Sequence, residues 1–189
     1  PRANMAFAWL NLLRGSPAQA APYLERLTGI FASPGLAIED PSLLGEWLAI
    51  QSRLLGAEGR VAESRDLSNR ALEILPEADA HVRSMVLVNL ATVHQQKLEY
   101  DQAAEIFQKI VRESQRIHRE QLNATMAWDM STMCFFEMRA ASQVGRVNEI
   151  IARVPDVLRD AEARGDRYSS TLFRVSRLCW AWLGQDDAK

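Results

Sequence analysis

SMVLVNLATVHQQKLEYDQAAEIFQKIV, residues 84–111, decides the fold. Its periodicity predicts two amphipathic helices joined at Lys97-Leu98-Glu99. Leu87, Leu90, Ala91 and His94 fall at i, i+3, i+4 and i+7, one face of a 3.6-residue helix. Ala103, Phe107 and Ile110 form the matching stripe on the second helix. No comparable stretch of strict alternation and no Asn-Gly or Asp-Gly hairpin turn signals a strand.

Outward from this unit the same layout recurs. Gly59-Arg60-Val61 separates a helix carrying Trp47, Leu48, Gln51 and Leu55 from one carrying Leu67, Ala71 and Leu72 that stops at Pro76. Gly15 precedes Ser16-Pro17, a helix cap followed by proline at the first helical position. Gly145 divides Met126–Val144 from Val147–Ala163, and Gly184 closes a helix carrying Leu172, Val175 and Cys179. The turns near 15, 59, 98, 145 and 184 are 44, 39, 47 and 39 residues apart. Five residues beyond the first four stand Ala20, Ser64, Ala103 and Ile150; three are small, which lets paired helices approach closely. Such pairs leave an apolar edge that a neighbouring pair covers, so the expected fold is all-α, a superhelix of helix-turn-helix repeats over residues 1–189 as one domain, with a closed helical bundle as the alternative.

Composition narrows the function. Hydrophobic residues make up 48% and charged residues 24% of the 189, the balance of a packed globular chain and not of a disordered one. A net charge of −2 offers no electrostatic footprint for a phosphate backbone, so direct nucleic-acid binding is not expected. Cys134 and Cys179, each inside an apolar run and without CxxC spacing, read as reduced buried thiols of a cytoplasmic protein. No run of 18 apolar residues predicts a membrane span. A start at Pro1 and an end in Asp186-Asp187-Ala188-Lys189, which reads as the opening of another helix, predict an excised piece of a longer protein.

The residues carry a family resemblance. Ser84–Val111 resembles a tetratricopeptide repeat: Leu87, Leu90, Ala91, Tyr100, Ala103 and Phe107 occupy its signature positions, and Asn89 also fits. His94 stands where the motif prefers tyrosine, and Leu98 replaces the turn glycine. Gly45–Pro76 matches at Leu48, Ser52, Gly59, Ser64, Ala71 and Pro76, with polar Gln51 at a usually apolar position. Later units depart further; Glu137 lands on an apolar position and the last unit needs a one-residue shift. Longer, degenerate repeats of this kind resemble the helical arm of MalT-like regulators, the large ATP-binding LuxR-type transcription activators, over roughly residues 41 to 165. That resemblance implies a sensing arm, with an ATPase module before it and a DNA-binding helix-turn-helix after it in the full-length chain. Residues 147–188 are also similar to helical repeats of some large bacterial serine/threonine kinase–ATPase proteins, which implies a protein-interaction scaffold.

Motifs of chemistry are missing. No GxxxxGK[ST] loop, no GxGxxG after a strand and no GxSxG occurs. His81, His94 and His118 are 13 and 24 residues apart, so none shares a helical face with another as a metal pair would. His94 reads as a packing histidine. Arg164-Gly165-Asp166 reads as a helix stop with its turn, and Asp79 as a helix cap. Pro155 lies mid-helix, where loss of a backbone donor predicts a kink. The expectation is a chain without enzymatic activity, metal or cofactor.

What remains is binding. Met126–Val144 gathers Met126, Trp128, Met130, Met133, Phe135, Phe136 and Met138 on more than one face, which predicts a helix flanked on several sides by neighbours. In the tetratricopeptide register the first helix of each pair lines the concave surface. That register nominates Glu46 and Arg53 in one unit and Met85, Val88, Thr92, Gln95 and Gln96 in the next, with Arg139 added from a later one. Polar groups beside apolar ones suit a small-molecule inducer or a protein partner.

Overall fold

A computed structural model describes residues 2–13, 16–32, 40–118, 124–175 and 178. Among them every regular element is an α-helix: α1 (Arg2–Leu13), α2 (Pro17–Phe31), α3 (Pro41–Ala57), α4 (Val61–Ile74), α5 (Ala80–Gln96), α6 (Tyr100–His118), α7 (Ala124–Gln143), α8 (Val147–Ala163) and α9 (Arg167–Val175). The expected turns at 15 and 184, and Cys179, fall outside the described residues. The chain divides into two compact units, Pro1–Lys97 and Leu98–Lys189.

The turns are set by backbone chirality. Gly59 and Gly145 take φ of +79° and +80°, a left-handed conformation that costs glycine nothing. Leu98, at the same place in its own turn, takes φ +64°, with its side chain exposed. Five residues beyond each of these three turns, and at the corresponding place in α2, the chain is buried: Ala20, Ser64, Ala103 and Ile150 are all at most 1% exposed.

In the first unit α1 packs on α2, α3 on α4, and α3 on both α1 and α5. Asp40 caps α3: its Oδ1 accepts from Leu43 N at 3.0 Å, and Pro41 fills the first helical position. This helix is apolar on two sides. Leu43, Trp47 and Ile50 join Met5, Ala8, Ala20 and Leu27, with Trp47 stacked on Phe31 at 5.3 Å. Leu48 and Ala49 turn the other way, onto Ala71, Leu75 and Val86. Gly45 lets Leu75 press against the α3 backbone; a Cβ there would overlap Leu75 Cγ and Cδ2.

Three local expectations need correction. Ser16 and Asp79 sit at the cap positions of α2 and α5, but neither side chain makes a capping hydrogen bond. Asp79 Oδ2 is buried without a partner. On α5 the buried residues are Val86, Asn89, Ala91 and Val93, so Ala91 of the expected stripe is buried while Leu87, Leu90 and His94 are only half-buried. Apolar residues surround this helix, so its neighbours choose the face and periodicity alone does not.

In the second unit α7 packs on α6, α8 and α9, and α8 on α9. Its core joins Met138, Ala141, Ile150, Val154, Leu158, Phe173 and Leu178. Phe136 stacks on Phe107 of α6 at 5.7 Å, and Phe135 meets Phe173 of α9 edge-on at 5.8 Å, so α7 is covered on two sides. The side chains of Met126, Trp128 and Met130 lie outside the described set. Glu137 is buried and forms a fork with Arg153 of α8, at 2.7 Å from Oε1 to Nη1 and 2.6 Å from Oε2 to Nη2. Helix α8 runs unbroken through Pro155. Arg164-Gly165-Asp166 stops α8 with Gly165 at φ +67° and starts α9, where Asp166 Oδ1 accepts from Ser169 N at 3.0 Å. No described helix is long and apolar enough to cross a membrane.

Candidate functional site

The C-terminal halves of α3 and α5 enclose a half-open cleft of about 150 Å³ in the first unit. Ser52, Arg53, Gly56 and Ala57 line it from α3, Ser64 from α4, and Asn89, Thr92, Val93 and Gln96 from α5. On α5 these positions are i, i+3, i+4 and i+7, a single face.

Small residues make the space. Ser52 and Ser64 close the α3–α4 crossing by a reciprocal exchange. Ser52 Oγ donates to Ser64 O at 2.9 Å and Ser64 Oγ donates to Ser52 O at 2.8 Å. With its own proton so committed, Ser52 Oγ accepts from Ser68 Oγ at 2.7 Å. Gly56 carries no side chain into the cleft, and its carbonyl accepts from Gln96 Nε2 at 2.9 Å, which ties the ends of α3 and α5 together. Thr92 Oγ1 donates back to Val88 O at 2.8 Å.

Two polar groups are left incomplete. Asn89 is 2% exposed, and its Nδ2 donates to Ala49 O at 2.8 Å. That bond fixes the amide orientation, since a flipped Asn89 would face one carbonyl oxygen with another. Its Oδ1 is buried with no hydrogen-bond partner. The second group is Arg53, half-buried on α3, with no ion pair or hydrogen bond among the described residues. Burial alone holds its guanidinium below the ordinary arginine range, with no carboxylate opposing the effect. Two other half-buried arginines are satisfied: Arg153 has Glu137 and Glu149, and Arg83 donates to Leu72 O and Leu75 O.

Of the residues nominated from the sequence, the cleft brings together Arg53, Thr92 and Gln96. Glu46, Met85, Val88 and Gln95 are half-buried on the same two helices but do not line it. Arg139 belongs to the second unit, where its guanidinium carbon lies 5.8 Å over the Phe136 ring. Sequence reasoning missed Ser52, Gly56, Ser64 and Asn89 as site residues. The small polar run Ser52, Gly56, Ser64 and Ser68 was the available signal, because it marks where α3 and α4 come close.

The cleft contains no histidine, cysteine or carboxylate, so neither serine there has a general base beside it. Among the described residues no three histidine, cysteine, aspartate or glutamate side chains could hold a metal ion. What the cleft presents is one cation without a counter-charge among the described residues and a wall of hydroxyls and methyls. Compared with known proteins, the chain matches no family model, no curated protein and no solved structure.

Proposed function

We propose that the chain is a ligand-sensing helical-repeat domain without catalytic activity, whose site is the cleft between α3 and α5. The single observation that carries this reading is Arg53, a half-buried arginine with no counter-charge among the described residues, in a largely apolar cleft sized for a small molecule. Burying a cation without a partner costs stability, and a ligand that supplies one recovers it. In this reading α3 and α5 are first helices of successive pairs in a right-handed superhelix. Their packing on each other, and that of α1 on α3, supports that order. A ligand bridging them shifts the angle between pairs only by binding one angle more tightly than the other. We place the domain, with the MalT-like resemblance, in a cytoplasmic bacterial transcription regulator whose ATPase and DNA-binding modules lie elsewhere in the full-length chain.

A thermal-shift screen of small metabolites on the wild-type chain and on Arg53→Ala tests the site. Compounds should raise the wild-type Tm and leave the variant unchanged. Equal shifts in both would remove the cleft from the reading. A phosphate loop and a helix-turn-helix in the flanking reading frame would decide for the regulator.

One observation favours a second reading, a protein-interaction scaffold. Phe7, half exposed on α1, stacks on Tyr23 of α2 at 5.3 Å, and such an aromatic pair can anchor a partner. Loss of partner binding in Phe7→Ala, with cleft ligands without effect, would favour it.

A further inference from the structure

We infer that the ligand of the α3–α5 cleft is a small zwitterion, a free α-amino acid with a short side chain. The inference rests on reading this cleft as the ligand site, and names what fits it.

Charge gives the first half. Arg53 is the only cation among the lining residues and no anion accompanies it, so the ligand brings one negative charge. A planar carboxylate matches the guanidinium fork in shape and charge. A phosphate dianion would leave its second charge uncompensated, and a neutral sugar would leave Arg53 as it is.

The second half comes from the helix ends. Both α3 and α5 terminate at the cleft, at Ala57 and Gln96, and the C-terminal end of a helix carries partial negative charge. These features repel a second anion and favour an N–H⁺ group. An ammonium close to a carboxylate answers the helix ends and the unmet cation together, with no net charge brought into the cleft.

Size supplies the limit. A cavity of about 150 Å³ is what holds a benzene-sized molecule, about six non-hydrogen atoms, with somewhat more allowed because this cleft is half-open. Val93 and Ala57 are the apolar parts of the wall, enough to face a side chain of a few carbons.

The test is calorimetric titration of the whole chain with each of the twenty free L-amino acids, alongside the N-acetyl derivative, the methyl ester and propionate. At least one short amino acid should bind, with the N-acetyl and ester forms each at least ~10-fold weaker. Arg53→Gln should weaken the free acid by at least ~10-fold and abolish its advantage over the ester. Should Arg53→Gln perturb folding, Ala57→Trp serves instead. Ala57 is exposed on the rim, so the indole blocks the cleft without entering the core, and binding should vanish with helicity unchanged. Failure of all twenty amino acids overturns the inference. If propionate or the N-acetyl acid binds as tightly as the amino acid, in an Arg53-dependent way, the zwitterion is wrong while the cleft remains the site. If amino acids bind equally to wild type, Arg53→Gln and Ala57→Trp, both readings fall.

Discussion

The α3–α4 and α7–α8 pairs meet the same geometric demand with opposite chemistry. Each turns at a left-handed glycine, Gly59 or Gly145, and each buries the residue five positions on, Ser64 or Ile150. The first pair then closes on neutral hydroxyls, with Ser52, Ser64 and Ser68 satisfying one another and two carbonyls. The second closes on a full charge, Glu137, neutralised by the Arg153 fork. Hydroxyls tolerate partial solvation at the edge of a cleft; a buried carboxylate demands a partner at hydrogen-bond distance. The neutral crossing can therefore leave a neighbouring arginine unmatched, whereas at the charged one every strong group is already taken.

Removing one partner of the ion pair should do the most damage. Arg153→Met strands Glu137 in the core and should cost about 3 kcal/mol, the lower end of the range for buried pairs because Arg153 is a third exposed. Urea denaturation of Arg153→Met and of the double variant Glu137→Leu/Arg153→Met checks this. The double variant should recover most of the loss. If it is as unstable as the single, the pair holds the helices by more than mutual neutralisation.

In the neutral crossing Ser52→Ala leaves Ser64 O without its hydroxyl donor and Ser68 Oγ without an acceptor, for a loss of roughly 1–2 kcal/mol. A loss matching that of Arg153→Met would erase the distinction between the two crossings.

Alkaline sensitivity sharpens the contrast, because it belongs to the charged pair. Burial pushes the Cys134 thiol up to about 11, with the Glu137 charge adding to the shift and Arg153 opposing it. A group whose folded pKa is raised stabilises the fold below its unfolded pKa, near 9 here, and that contribution is lost as pH rises through the folded value. Between pH 9 and 11 the wild type should lose about 1 kcal/mol more than Cys134→Ala, measured as the difference between their denaturation midpoints. Parallel midpoints across that window would refute it.

Smallest of all is the effect at Leu98, the one described turn of the repeat without a glycine. Leu98→Gly should relieve left-handed strain for a net gain of about 0.5–1 kcal/mol, since the exposed side chain packs little. The same change at a residue with negative φ would lose stability, so a loss here would mean the turn is not held left-handed in solution.

Much of the fold was legible because its strongest signals are local. Glycine marked the turns at Gly59 and Gly145 and periodicity the one at Leu98, and counting five residues onward found buried positions at Ser64, Ala103 and Ile150. Arg164-Gly165-Asp166 was legible for the same reason. The face of α5 was not, because Met85, Val86, Leu87, Val88 and Leu90 offer several apolar stripes and only Leu48, Ala49 and Leu75 choose among them. Site residues divide likewise. Arg53, Thr92 and Gln96 followed from the register that the tetratricopeptide resemblance implies, whereas the part played by Asn89 depends on Ala49, forty residues away in sequence. That Glu137 would find Arg153 sixteen residues on, across a turn, needed the pairing of α7 with α8.

The contact between Gly45 and Leu75 has a consequence for how this sequence can change. Because Leu75 occupies the space a side chain at 45 would need, the two positions share one volume. A lineage that gains alanine at 45 while keeping leucine at 75 passes through a clash, and one that shortens residue 75 first passes through a cavity. Neither intermediate is neutral, but the cavity is the milder for a shortening to valine, so the order of substitution is constrained as well as the pair. Among relatives of this chain, residues 45 and 75 should vary inversely in size, a two-site epistasis readable from sequences alone.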